Sequence, residues 1–165
     1  EAYDYKLLSE GGQEVYDDGN LGGSSIYSEI FAYEVLYRCE GAALLKTEGE
    51  IAYLDDGGKK TDLLVSIDGY SVGVSVTRAY GYPPEDPYTE DQALALLEDK
   101  LADVLSSSAN VAEEDAWQKQ ILHVIAYTPE HAATVEAAYE DVDTKVRADT
   151  MLYVTATEGE DGFIY

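Results

Sequence analysis

Cysteine is almost missing from this chain: Cys39 stands alone among 165 residues, so no internal disulfide forms and the fold must be held by its own core. Placed in an amphipathic stretch, it is expected to be a buried helix thiol. Positive charge is scarce as well, with ten Lys and Arg against 34 Asp and Glu and a formal charge of −24. That balance argues against long-range attraction to nucleic acid or anionic membrane. It accommodates a basic partner, or simply a well-solvated surface. No apolar run approaches the roughly 18 residues a membrane span needs, and the first residues lack a basic segment followed by an apolar one. The expectation is a soluble, cytoplasmic chain with no membrane partner. Histidine is limited to His123, inside an apolar run and expected as a hydrogen-bonded core residue, and His131, expected to be exposed in the first turn of a helix. No His-Cys metal spacing, glycine-rich phosphate loop or nucleophile elbow occurs.

What is present suffices for one globular domain, since 45% of the residues are hydrophobic. Residues 1–23 combine Tyr3, Tyr5 and Tyr16 with Gly11-Gly12, Asp17-Asp18-Gly19-Asn20 and Gly22-Gly23, which reads as an arm of turns packed through aromatic anchors. The spacing of Ile26, Ile30, Tyr33 and Tyr37 predicts a helix from Ser25 to about Glu40. A strand over Ala42–Leu54 and the turn Asp55-Asp56-Gly57-Gly58 come next. Thr89 and Gln92 form a capping-box pair ahead of the Leu94, Leu97, Leu101 and Leu105 stripe, a helix expected to fade near Ser106-Ser107-Ser108. Ile121–Tyr127 reads as a buried parallel strand, Thr128-Pro129 as a helix start and Met151–Thr157 as the last strand. The domain is therefore placed at 24–157, with 158–165 a loose acidic tail.

The most telling segment is Thr61–Ala79. Leu63, Val65 and Ile67 alternate with Asp62, Leu64 and Ser66; after the turn at Asp68-Gly69, Val72, Val74 and Val76 alternate with Gly73, Ser75 and Thr77. Side chains repeat every second residue in a strand, so Ser75 and Thr77 share a face, and pairing brings that face toward Asp62. An acid at the head of such a strand must reach solvent or hold a partner. With the order α-β-β-β-α-β-α-β, this resembles the PD-(D/E)xK, or restriction-endonuclease-like, superfamily. Asp62 matches the motif's Asp, while Ser75-Val76-Thr77 stands where the family carries (D/E)-x-K.

The resemblance implies an α/β fold with an αβββαβ core, a central mixed sheet of about five strands flanked by helices. It also implies a site at which acids hold Mg²⁺ or Mn²⁺, the cation activates water and neutralises phosphate, and a lysine assists. Carried onto this chain, Asp62 and Glu29 are the metal ligands, Ser75 a weak or water-mediated one, Thr77 a hydrogen-bonding group, and Lys100 a lysine migrated to the following helix. Lys100 falls about 60° from Leu97 on that helix, at the flank of the buried stripe. Arg78 is a further basic candidate that alternates to the Val76 side; Glu34, Glu48 and Glu50 are weaker acids. Lys46, Lys59, Lys60, Arg78 and Lys100 cluster along the chain near this segment and suggest a local positive zone, while Tyr80, Tyr82 and Tyr88 offer stacking surfaces. Serine and threonine do the work of a carboxylate and a lysine poorly. The leading expectation is thus a catalytically degenerate binding or interaction domain, with a protein partner or nucleic acid at a local cleft; the alternative is a divergent divalent-metal nuclease.

Overall fold

A computed structural model describes residues 4–21, 25–83, 86–159 and 161–164. The helices are α1 (Glu10–Asp18), α2 (Ile26–Glu40), α3 (Glu90–Asn110), α4 (Pro129–Asp141) and the single turn α5 (Thr144–Arg147); the strands are β1 (Ala43–Thr47), β2 (Leu63–Ile67), β3 (Tyr70–Ala79), β4 (Lys119–Ala126) and β5 (Met151–Ala156). The five strands make one mixed sheet in the order β1-β2-β3-β4-β5. Its first three strands form an antiparallel meander, and β4 and β5 join in parallel after the α3 and α4 crossovers. Helices cover both faces, so the chain has the expected α/β architecture.

The β2–β3 hairpin closes through Asp68 and Gly69, whose φ values of 50° and 82° suit a two-residue turn with both residues left-handed. Its register pairs Leu63 with Val74 and Ile67 with Tyr70. Val72, Val74, Leu63 and Val65 consequently meet Ile30, Tyr33 and Leu36 of α2 in one core layer. Leu122, Val124, Ala126 and Ala79 point the other way, against Leu97, Leu101 and Val104 of α3 and Val135 of α4. The near-continuous apolar character of β4 follows from burial on both faces.

Several expectations give way. The N-terminal segment is not all turns: Ser9 caps α1 by accepting from the Gly12 amide at 3.1 Å. Gly11 and Gly12 are helical because they let α1 approach α2, where a Cβ at either would collide with Tyr33 or Glu34. Tyr5 meets Tyr16 edge-on with centroids 5.5 Å apart, and Tyr16 in turn meets Tyr27 of α2 at 6.5 Å. Tyr3, Gly22 and Gly23 lie outside the described residues. The predicted strand at 42–54 ends at Thr47; beyond a turn, only Tyr53 makes a bridge, to Val111. Helix α3 continues through Ser106–Ser108 because the Ser106 and Ser107 hydroxyls donate to the Ala102 and Val104 carbonyls and Ser107 is buried. Cys39 is exposed rather than buried. In the tail, Ile164 is buried and Phe163 packs on Phe31 of α2 at 5.3 Å, so this part of 158–165 docks instead of hanging loose; Glu160 and Tyr165 lie outside the described residues. Among the described residues, no helix is long and apolar enough to cross a membrane.

Candidate functional site

Asp62 stands just before β2, where β1 no longer follows. Its amide donates to the Val74 carbonyl at 3.1 Å, continuing the ladder, and its Oδ2 accepts from the Val76 amide at 2.6 Å. The peptide between Ser75 and Thr77 is therefore what binds the acid. By register Asp62 lies opposite Ser75, and Ser75 and Thr77 share the α3-facing side with Ala79. Asp62 therefore stands across the hairpin from Ser75, and its hydrogen-bond donor is the Val76 amide between Ser75 and Thr77.

Two further carboxylates act on Asp62. Burial first, and then the charges of Glu29 and Glu48, push its carboxyl up to about 8 from 3.8, against the Val76 hydrogen bond and the more distant Lys100 ammonium. Glu29 is only 2% exposed in the first turn of α2. Its Oε1 accepts from Asn20 Nδ2 at 3.0 Å and Ser25 Oγ at 2.8 Å, and burial raises its carboxyl too. Glu48 is held by the Leu21 amide at 2.8 Å. Asp62 and Glu29 are thus both desolvated carboxylates, and the Glu29 charge acts on Asp62. Desolvated carboxylates are groups that could hold a hard divalent cation, which binds through one or two carboxylates and completes its shell with water or phosphate.

The other candidates go elsewhere. Glu34 accepts from the Ser9 amide and hydroxyl, each at 2.7 Å, and from Arg38, which makes it a tie between α1 and α2. Arg78 donates to the Ile164 carbonyl at 3.4 Å, anchoring the C-terminal turn. Lys100 does lie on the flank of α3, and its ammonium is 3.2 Å from Asp99 and 3.9 Å from Asp103. Lys59 also reaches Asp103, at 2.9 Å; Lys46 pairs with Asp115 at 2.7 Å; Lys60 sits over the Tyr53 ring. The four lysines near the hairpin are consequently matched to acids and an aromatic face, not gathered into a positive patch. Tyr80 packs edge-on against Tyr127 and Tyr88 stacks on His131 at 5.0 Å, whereas Tyr82 is exposed.

The histidines divide. His123 is fully buried, with Nε2 2.9 Å from Thr155 Oγ1, as expected; burial pushes its imidazole down to about 4. His131, expected to be exposed, is 8% exposed between Tyr88 and Tyr127, because α4 turns that first-turn position inward. Sequence reasoning also missed an acidic group on the surface: Glu14, Asp18 and Glu50 each place one oxygen within 4.8 Å of the others. Glu14 and Asp18 are one helical turn apart, a signal hidden while that segment read as turns. The Thr47 hydroxyl donates to Asp18 at 3.0 Å and its amide to Glu50 at 3.0 Å.

Fold and site define an α/β domain with a mixed five-strand sheet, a desolvated carboxyl at the head of its second strand and a second, Glu29, in the first turn of α2. No family model matches the chain. A Dictyostelium discoideum protein described as AAC-rich mRNA clone AAC4 protein is 40% identical over 161 residues, covering 93% of this chain and 23% of that protein. The chain therefore spans about a quarter of that relative's length. Among solved structures, Pyrococcus furiosus SfsA, determined in complex with Ca²⁺, aligns with 79% of this chain and 55% of its own at 12% identity and a TM-score of 0.38. The superposition is too loose to transfer activity or fold detail.

Proposed function

We propose that this chain is a catalytically silent, restriction-endonuclease-like domain whose Asp62–Glu29 pair still takes a divalent cation and which works by binding rather than by turnover. One observation carries the reading. Asp62 is held by the Val76 amide between two uncharged side chains, Ser75 and Thr77, where a nuclease needs a second strand carboxylate and a lysine. The two acids favour a cation, because burial raises both carboxyls, with the Glu29 and Glu48 charges adding at Asp62 and the Glu48 charge at Glu29, and a bound dication relieves each effect. Turnover is a different requirement. It needs a basic group free to support the nucleophile or leaving group, and Lys100 is engaged with Asp99 and Asp103.

A specific observation keeps the nuclease reading as the second choice: the Lys100 charge still acts on Asp62. Calorimetric titration of Mn²⁺ and Mg²⁺ into wild type and Asp62→Asn, at salt high enough to suppress diffuse binding, addresses the cation. A parallel assay with single- and double-stranded DNA and RNA addresses turnover. The proposal expects one cation lost in Asp62→Asn and no cleavage above background. Metal-dependent cleavage abolished by both Asp62→Asn and Lys100→Met establishes the nuclease instead, and matching weak heats in both proteins remove the cation site.

A further inference from the structure

Among the described residues, the helical cover is incomplete at the end of the sheet opposite Asp62. On the α2 side, α1 and α2 pack against β1–β3 and the Gly162–Ile164 turn docks on α2, whereas α3 and α4 stand together on the other face. The uncovered part, over the starts of β4 and β5 and beside the hairpin turn, is a groove of about 550 Å³. Its floor is Val72, Ile121 and Tyr153, and its walls are Ile67, Tyr70 and Met151. Tyr70 is 52% and Met151 46% exposed, unusual for large apolar side chains that face each other across a concave surface. The volume falls within the range of specific binding pockets.

We propose that this groove receives a basic amphipathic helix from a partner protein, laid beside α2 as the missing member of that layer. A helix fits because the groove lies on a sheet face, where a helix packs, and not along an open strand edge. Cationic character follows from charge. Glu40 and Asp68 flank the groove, with Lys119 the one cation lining it among the described residues, and the molecule carries −24 overall. A second copy of this chain brings the same charge and is repelled; nucleic acid and anionic membrane are repelled likewise. The recognition expected is aliphatic anchors at i, i+3, i+4 and i+7 seated between Tyr70 and Met151, with lysine or arginine reaching Glu40 and Asp68.

Cys39 provides the readout. It neighbours Glu40, whose Oε1 accepts from the Tyr153 hydroxyl at the groove at 3.0 Å, and it is exposed and the only thiol in the chain, so an environment-sensitive dye attaches there alone. The probe is a synthetic helix of leucine and lysine with the stated spacing. Its controls are a permuted peptide of identical composition and a version with glutamate for lysine, all at about 150 mM salt, where diffuse attraction is screened. Met151→Lys and Tyr70→Lys alter exposed walls; Leu54→Lys makes the same charge change at a 76% exposed site away from the groove. The proposal expects a saturable dye shift with the amphipathic peptide, weakened about tenfold by each wall variant and unchanged in Leu54→Lys. It is overturned by no binding, by equal binding of the permuted or glutamate peptide, or by equal weakening in all three variants. A dimer of the free protein in sedimentation, dispersed by Met151→Lys, assigns the groove to self-association and overturns it as well.

Discussion

Because the folded surroundings lift the Asp62 carboxyl from 3.8 to about 8, the native chain holds a proton there that the unfolded chain has already released. Stability then falls as pH rises through that window, by about 1.4 kcal/mol per unit. His123 works in the opposite sense. Its imidazole is neutral in the fold down to about 4 but protonates near 6.5 when unfolded, so between those values stability rises with pH. The two slopes offset each other between 4 and 6.5 and leave Asp62 alone above. Urea denaturation of wild type is expected to be nearly flat in these two contributions at acid pH and to decline from pH 6.5 to 8. Asp62→Asn, whose amide oxygen still accepts from Val76, is expected to remove that decline; an unchanged slope sinks the assignment. Gly73 offers a test without charge. A Cβ there would lie 2.7 Å from the Trp117 ring, so Gly73→Ala is expected to cost about 1–3 kcal/mol and to change the fluorescence of the chain's single tryptophan.

Among the elements, those written by period and cap were legible in sequence. The alternation of the hairpin, the Thr89–Gln92 capping box and the Thr128-Pro129 start all appear where their chemistry places them. Helix α1 was not legible, because two consecutive glycines look like a turn until Tyr33 and Glu34 are known to press on them. Tertiary contact overrode local propensity there, as it did for the exposed Cys39 and the inward His131. For the candidate site, the strand order and alternation sufficed to place Asp62 across the hairpin from Ser75. They gave no warning that lysines near the hairpin would be consumed by Asp99, Asp103 and Asp115, since those pairs join segments distant in sequence or are hidden in a highly acidic composition. Glu34 shows what one such long-range tie does to an element. Its carboxylate takes both the Ser9 amide and hydroxyl as well as Arg38. Glu34→Ala is expected to lose about 1–3 kcal/mol. Hydrogen exchange should show the loss as faster opening confined to α1, and equal loss of protection in α3 and α4 would refute the tether.

For the molecule as a whole, a charge of −24 on 165 residues means that folding concentrates like charges, which opposes the compact state. Screening should therefore stabilise. Raising monovalent salt from about 0.01 to 0.15 M shortens the Debye length from about 30 to 8 Å, and the melting temperature is expected to climb over that range and then level off. A divalent cation adds a second and separable effect. Diffuse binding to the acidic surface follows ionic strength and is common to every variant, whereas occupation of Asp62 and Glu29 stabilises only a protein that retains both. At fixed ionic strength, replacing part of the monovalent salt with Mg²⁺ or Mn²⁺ should raise the melting temperature of wild type further and leave Asp62→Asn almost unmoved. The gain should also grow from pH 6.5 to 8, since the ion must displace the proton that Asp62 holds below about 8. A gain shared by Asp62→Asn assigns the effect to the surface, where Glu14, Asp18 and Glu50 gather carboxylate oxygens within 4.8 Å of one another. A gain in wild type alone, growing with pH, ties cation affinity to the same desolvation that makes Asp62 costly to ionise in the fold.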